Sequence, residues 1–353
     1  VNVTVAELKD LARPMALEFA QELAPGGKLE GKYYLTRSPL RADRHTGSFA
    51  VWVKGAAAGA WKDFASDDKG DLIDLIAETK YGGRSRESRG KAIAWLRERL
   101  NLGGAAPAEI AKAKVFARAA QAEREKNEAA ARERKRARCF DLWMSGAPLG
   151  GTLGEAYYRA RGVEAAAIPN KSATFRFLPA LDYWKGGAAA HRGPAIVGRY
   201  RDAAGRFPAV HATWLTADGR DKAPLDPPKL SLGEYKGCFL PIARGDGGKE
   251  PWEADCPAGL VQVTEGHEDG WSVAMARPDL RTWAAGSLSN IGNLPCPPCV
   301  SGFLVVRQND WHTPAAVAAF ERALESLARH GVGVTEIGVA MGKDPNDQLR
   351  RRG

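Results

Sequence analysis

From residue 258 to the C-terminus the chain alternates short β-rich runs with helical stretches, and acids follow the runs at 260–263, 303–307 and 334–339. The acidic clusters are Thr264-Glu265-Gly266-His267-Glu268-Asp269, Gln308-Asn309-Asp310 and Gly342-Lys343-Asp344-Pro345-Asn346-Asp347. Alternation of this kind builds a small doubly wound α/β domain, whose ligands bind off the carboxyl ends of its strands. The three clusters are therefore expected to meet on one edge. Gathered carboxylates describe a hard-cation site, most naturally Mg²⁺ (or Mn²⁺) working on phosphates.

Composition is consistent with a phosphate-handling chain. At 353 residues with 44% hydrophobic content, two or three domains with real cores are expected. A formal charge of +9 gives a surface field that attracts polyanions. No apolar stretch reaches the roughly 18 residues of a membrane span, and Val1-Asn2-Val3-Thr4-Val5 lacks the basic start and apolar core of a signal peptide, so a cytoplasmic protein without membrane partners is expected. Five scattered cysteines point to reduced thiols, and Cys296-Pro-Pro-Cys299 has no second pair nearby to complete a zinc set. A P-loop is missing: Arg89-Gly90-Lys91 is followed by Ala92 where Ser or Thr should stand, so this chain carries no helicase motor.

The rest of the chain divides into an N-terminal module (1–104), a basic helical linker (105–138) and a middle α+β module (139–256), ahead of the C-terminal domain (257–353). Apolar residues at three- and four-residue steps predict one helix over 5–24. Strand-like pieces follow at 32–34, 48–53 and 59–64, and then a helix capped by Asp71 and another near 88–100. The linker ends in Arg132, Arg134, Lys135, Arg136 and Arg138, a solvated helix face or a surface for a nucleic-acid backbone. In the middle module a helix closes at Gly162, and strands are expected near 174–178, 195–201, 207–215 and 237–243. Thr313 and Pro314 would open the long helix that Gly331 closes.

Three sets of residues carry a family resemblance. Glu265-Gly266, Gln308-Asn309-Asp310 and Lys343-Asp344-Pro345-Asn346-Asp347 resemble the Glu-Gly, Asp-x-Asp and acidic tail of the Toprim domain of bacterial-type primases, topoisomerases and some nucleases, with Gln308 in place of the first Asp of the pair. Tyr157-Tyr158-Arg159-Ala160-Arg161-Gly162-Val163 resembles an element of primase polymerase domains, and the stretch from His211 through Lys222 to Lys229-Leu230-Ser231-Leu232-Gly233 resembles the stretch preceding Toprim in primase-like proteins of phages and mobile elements. Ser38-Pro39-Leu40-Arg41 and Lys69-Gly70-Asp71 resemble the flanks of a primase zinc ribbon whose ligands are lost, so no zinc is expected and the module should be held by packing through Trp52, Trp61 and Phe64.

The resemblance implies an α+β multidomain protein ending in a Rossmann-like Toprim domain, and a DNA primase-like nucleotidyltransferase that makes short primers on single-stranded DNA from nucleoside triphosphates, beside a separate replicative helicase. The alternatives are a non-catalytic single-stranded-DNA-binding accessory with a decayed site, or a metal-dependent Toprim nuclease. Glu265 is expected as metal ligand or general base and Asp310 as principal ligand, with Asp344, Asp347 and Gln308 completing the metal set. Gln308 offers an oxygen without charge. Gly266 would admit close backbone approach, and Asp269 either supports the site or caps the following helix. Arg161, Lys222, Lys229 and Lys343 are candidate binders of nucleotide or template phosphate, Trp52, Trp61 and Trp311 candidate base-stacking residues, and His211 a core histidine before a catalyst.

Overall fold

The computed structural model describes residues 3–102, 107–309 and 314–352, so Asp310, Trp311, His312 and Thr313 lie outside the described residues. The chain separates into two compact units, Val1–Ala131 and Arg132–Gly353.

In the first unit an antiparallel meander runs through Lys28–Glu30, Tyr33–Thr36, Phe49–Trp52, Trp61–Asp63 and Lys69–Gly70. The opening helix is broken, contrary to the single helix expected: Val5–Ala12 and Ala16–Leu23 are separated by a 3₁₀ turn at Arg13–Met15. Pro14, with no N–H to donate, is the physical reason. Apolar periodicity nevertheless continues across the turn, and Leu8, Phe19 and Leu23 pack with Phe49, Val51, Trp61, Leu75 and Ile76 in one core. Asp71 caps the Leu72–Tyr81 helix through a capping box with Asp74.

Around Ser38 and Arg41 the first unit holds an ion-pair knot. Arg41 grips Asp63 with two nitrogens, at 3.0 and 3.2 Å, and reaches Asp43 at 3.4 Å. Asp63 also accepts the backbone N–H of Ala65, while Asp43 accepts the backbone N–H of Ser38 and the hydroxyl of Ser48. Packing contributes through Trp61, which is 1% exposed and stacks on Phe49. Phe64 does not contribute as expected, being 56% exposed.

The second unit contains two five-stranded sheets. The first is antiparallel, in the order Lys229–Gly233, Ala209–Trp214, Ala188–Arg199, Phe175–Lys185, Ala147–Pro148. The second runs Leu240–Arg244, Arg281–Ala284, Gly259–Thr264, Val300–Val306, Gly333–Ile337, parallel except at its first pair. The strand near 237–243, read from the sequence as part of the middle module, thus belongs to the C-terminal sheet. Its apolar residues are buried on both sides: Leu240 and Ile242 pack with Tyr158, Phe175 and Trp271, while Phe239, just before it, stacks on Trp283 with ring centroids 3.8 Å apart.

Val261, Val263, Phe303 and Val305 fill the centre of the second sheet beneath the Pro314–Ala328 helix, which contributes Phe320 and Leu327. A fully buried side chain of this size contributes about 2–3 kcal/mol. The strand order reverses between Gly259–Thr264 and Val300–Val306, because one connection leads to Arg281–Ala284 on one side and the next to Val300–Val306 on the other. Such a switch point opens a crevice at the carboxyl ends of the two strands. Among the described residues no helix is long and apolar enough to cross a membrane.

Candidate active site

Glu265 and Gly266 follow the Gly259–Thr264 strand and Gln308 follows Val300–Val306, which places them at the switch-point crevice. The backbone carbonyl of Glu265 accepts the Gly286 N–H at 2.8 Å, fixing the turn from which the half-buried side chain springs. Gly266 is the N-cap of the His267–Ala276 helix and makes no side-chain cap, so Asp269 is not the cap; it stands in the first helical turn. A Cβ on Gly266 would lie 3.3 Å from Oε2 of Glu268 and 3.5 Å from Oδ2 of Asp269, a tight fit against the two acids.

Two buried acids of that first turn organise the site. Asp269 accepts the Gln308 side-chain amide at 2.9 Å and the Asn346 backbone N–H at 3.2 Å. Burial, then the neighbouring Asp344 and Glu268, push its carboxyl up to about 8. Glu268 accepts the Tyr157 hydroxyl at 2.8 Å and Lys222 Nζ at 2.9 Å, with Lys229 Nζ 4.0 Å away. Burial alone would raise its carboxyl, but the ammonium groups of Lys229 and Lys222, with the hydrogen bond from Lys222, hold it well below the usual carboxylate range. His267 is buried between Tyr158, whose hydroxyl lies 3.0 Å from Nδ1, and Thr213, whose hydroxyl lies 3.0 Å from Nε2; burial lowers its pKa to about 4, leaving the ring neutral at neutral pH.

The acidic tail closes the other side. Asp344 caps the Pro345–Arg352 helix by accepting the Asp347 N–H at 2.7 Å, and Asp347 accepts the Lys343 N–H at 3.0 Å. Asn309 ties this loop to the central strand by donating its backbone N–H to the Lys343 carbonyl at 2.7 Å. Lys343 itself is exposed. Asn346 is a hub, donating its amide to the Arg161 carbonyl at 3.0 Å and to Ser272 at 3.1 Å. Arg161 lies over the Tyr157 ring at 4.7 Å and pairs with Asp221 at 2.7 Å.

The structure therefore brings Gly266, Asp269, Gln308, Asp344, Lys222, Lys229 and Arg161 into one connected region. Among the described residues no three His, Cys, Asp or Glu side chains form a metal-holding group. Glu268, Tyr157, Asn346 and His267 went unrecognised as site residues in the sequence, although Lys222 and Lys229 signalled that an acid was needed to balance them. His211, on the same sheet face as Thr213, is buried with Nδ1 3.3 Å from the Ser231 hydroxyl, a core residue. Trp52 and Trp61 lie in the first unit. Trp52 meets Tyr33 edge-on, and Trp61 is corrected from stacking candidate to core, since Phe49 and Arg84 cover its ring and its indole N–H donates to the Asp71 carbonyl.

Residues 260–353 match the family model described as a Toprim domain. This part of the chain is a Toprim domain. Ahead of it, residues 133–242 match a domain of unknown function, DUF7146. The Toprim match begins within the Gly259–Thr264 strand that leads to the Glu265-Gly266 turn, and the strand Leu240–Arg244 that completes the sheet straddles the end of the preceding match. No curated protein matches the chain. Among solved structures, the zinc-binding and RNA polymerase domains of the Aquifex aeolicus primase align over 98% of this chain and 82% of that one at 16% identity, with a TM-score of 0.38. A DNA primase domain from Pseudomonas aeruginosa aligns over 61% and 74% at 16% identity and TM-score 0.40. The primase fragment of the bacteriophage T7 primase-helicase aligns over 59% and 77% at 18% identity and TM-score 0.34.

Proposed function

We propose that this chain is a DNA primase-like nucleotidyltransferase that synthesises short oligonucleotide primers on single-stranded DNA, in the replication of a phage, plasmid or mobile element. The observation that carries the reading is the bonding of Tyr157, Arg161 and Lys222, from the module preceding the Toprim domain, to Glu268 and Asn346 within it. The motif that resembles primase polymerase domains and the acidic Toprim edge thus form one site. Topoisomerases and Toprim nucleases do not carry that preceding motif, which disfavours the nuclease reading.

In this reading Glu265, Asp310, Asp344 and Asp347, with the Gln308 carbonyl oxygen, would hold Mg²⁺ or Mn²⁺. The donor chemistry fits: burial, and after it the neighbouring Asp344 and Glu268, lift the Asp269 carboxyl, and a divalent cation relieves such crowding of carboxylates. When bound, the ion would lower the cost of charge developing on the attacking and leaving oxygens. Lys222, Lys229 and Arg161 line the site as cations for triphosphate or template phosphates, and exposed Lys343 extends that set. Glu265 serves as general base or ligand, and Gly266 keeps the approach free of a side chain. The N-terminal module, the linker and a separate helicase would supply template handling around this core.

Incubation of the full chain with single-stranded template, labelled ribonucleotides and Mg²⁺ or Mn²⁺ tests the proposal. New oligonucleotides that disappear in Glu265→Gln are expected. Shortened template would replace the reading with a nuclease, and template binding without product would replace it with a non-catalytic accessory. One observation favours that accessory as the second reading: the Gln308 amide is spent on Asp269 where an Asp would add charge.

A further inference from the structure

On the antiparallel sheet of the second unit, Arg199 is the register partner of Val210, so the two share a face. His211 and Thr213 point to the other face, where Thr213 meets His267. The face of Arg199 is therefore the one turned away from the acidic site. It is covered by the end of the Pro107–Met144 helix, through Cys139 and Trp143, which pack on Val197, Phe207 and Val210.

This face concentrates positive charge with little to balance it. Arg176 and Arg199 share one indole, lying 3.9 and 4.4 Å over Trp143, and Arg201 lies over Phe207 and Trp252 at 5.8 and 5.7 Å. Arg201, Arg176 and Arg244 all act on Arg199 as like charges, and one carboxylate, Glu250, opposes them. Glu250 is already engaged by Arg244 at 3.2 Å and by the Ser172 hydroxyl at 2.6 Å. Asp202, the other acid within reach of Arg201, is held by Arg206 at 2.6 Å. Arg176 spends one nitrogen on the Met144 carbonyl and Arg201 one on the Gly205 carbonyl. The Arg199 guanidinium has no hydrogen-bond or ion-pair partner among the described residues, and its Nε is sealed from solvent. Clustered, half-buried guanidiniums with one shared counter-charge are stable when an external anion completes them.

Two neighbours specify the anion. Phe140, on the covering helix, is 48% exposed with its ring 5.8 Å from Phe207, and is an aromatic surface open to a base. The two helical turns before it expose Arg132, Arg134, Lys135, Arg136 and Arg138. We propose that this face binds single-stranded nucleic acid, with backbone phosphates on Arg199 and Arg201 and a base on Phe140. The identity of the polymer rests on the template reading above; the anion site itself rests on the arginines.

The test is fluorescence anisotropy of a labelled oligothymidylate with the full chain across a salt series, for the wild type, Arg199→Gln/Arg201→Gln, Arg199→Lys and Phe140→Ala, with circular dichroism as the fold control. The double variant should bind at least about tenfold more weakly, and its log–log salt slope should fall by roughly 1.4, about 0.7 for each phosphate that is no longer neutralised. Arg199→Lys should keep the slope and lose part of the affinity, and Phe140→Ala should weaken binding several-fold at unchanged slope. Should the double variant fail to fold, the two single variants decide by these signatures. Unchanged affinity and slope in folded variants overturn the proposal, as does an Arg199-dependent stabilisation by inorganic phosphate with no effect on oligonucleotide binding. DNA binding through these residues without primer synthesis would leave this site standing and remove the enzymatic reading, whereas a wild-type chain that binds no DNA removes both.

Discussion

The side-chain amide of Gln308 donates to Oδ2 of Asp269 over 2.9 Å, joining the end of the central strand to the first turn of the helix that follows Gly266. A neutral residue suits this contact because burial, and after it the neighbouring Asp344 and Glu268, already raise the Asp269 carboxyl to about 8. Gln308→Asp would place a further carboxyl against it. Without divalent ions the variant should lose about 2 kcal/mol, the scale of a lost charged hydrogen bond plus repulsion. Millimolar Mg²⁺ should restore the loss. Thermal unfolding in EDTA and in Mg²⁺ checks both halves, and equal destabilisation in the two buffers would contradict a cation at this edge.

Lys222 neutralises the buried Glu268 from the edge of the preceding module. Lys222→Met leaves that carboxylate with Tyr157 and the more distant Lys229, at a cost on the order of 3 kcal/mol. Chemical denaturation of Lys222→Met, Glu268→Gln and the double variant forms the measuring cycle. The double variant should be more stable than Lys222→Met alone, since no uncompensated charge remains buried.

Trp61→Ala should destabilise the first unit by about 3–5 kcal/mol, the usual cost of emptying a buried aromatic position. Trp61→Phe should recover most of that and bind single-stranded DNA like the wild type. Weaker DNA binding by a folded Trp61→Phe protein would return the residue to the list of stacking candidates.

Asp43 and Asp63 give the first unit a defined acid response. The Ser38 N–H and the Ser48 hydroxyl hold the Asp43 carboxyl well below the usual range. For Asp63, burial works upward, but the hydrogen bonds from Arg41, Ser38 and the backbone N–H groups of Ala65 and Ser66 together outweigh it, and the carboxyl ends up lowered. Groups lowered on folding stabilise above their unfolded values, roughly pH 4, and that contribution is lost as pH falls toward the folded values. Arg41→Leu should therefore move acid unfolding of the first unit to higher pH while adding little change near neutrality beyond a constant loss. Amide exchange across residues 49–63 in the full chain, followed from pH 7 downward, reads this directly.

Much of this architecture can be read from residues alone, and the exceptions have physical causes. The polar residues after 263 and 307 mark their strand ends because a short β-rich apolar run followed by turn residues is a local signal. Pro14 is visible in the sequence, yet the apolar spacing on both sides continues in phase, which disguises the break. Leu240–Arg244 looks like one more strand of the middle module, since pairing across 40 residues with Arg281–Ala284 leaves no local trace. Glu268 and Asp269 stand side by side in one motif. Their separate roles depend on which lysine, tyrosine or amide folds against each, and that is a property of the tertiary structure.

The position of Leu240–Arg244 also governs how this protein can be cut. A fragment starting at residue 257 would remove the strand hydrogen-bonded to Arg281–Ala284 and strip the covering from Trp283, leaving a bare sheet margin inviting self-association. The Toprim domain and the segment before it therefore behave as a single heritable piece: recombination that joins them to new neighbours must cut upstream of that shared strand.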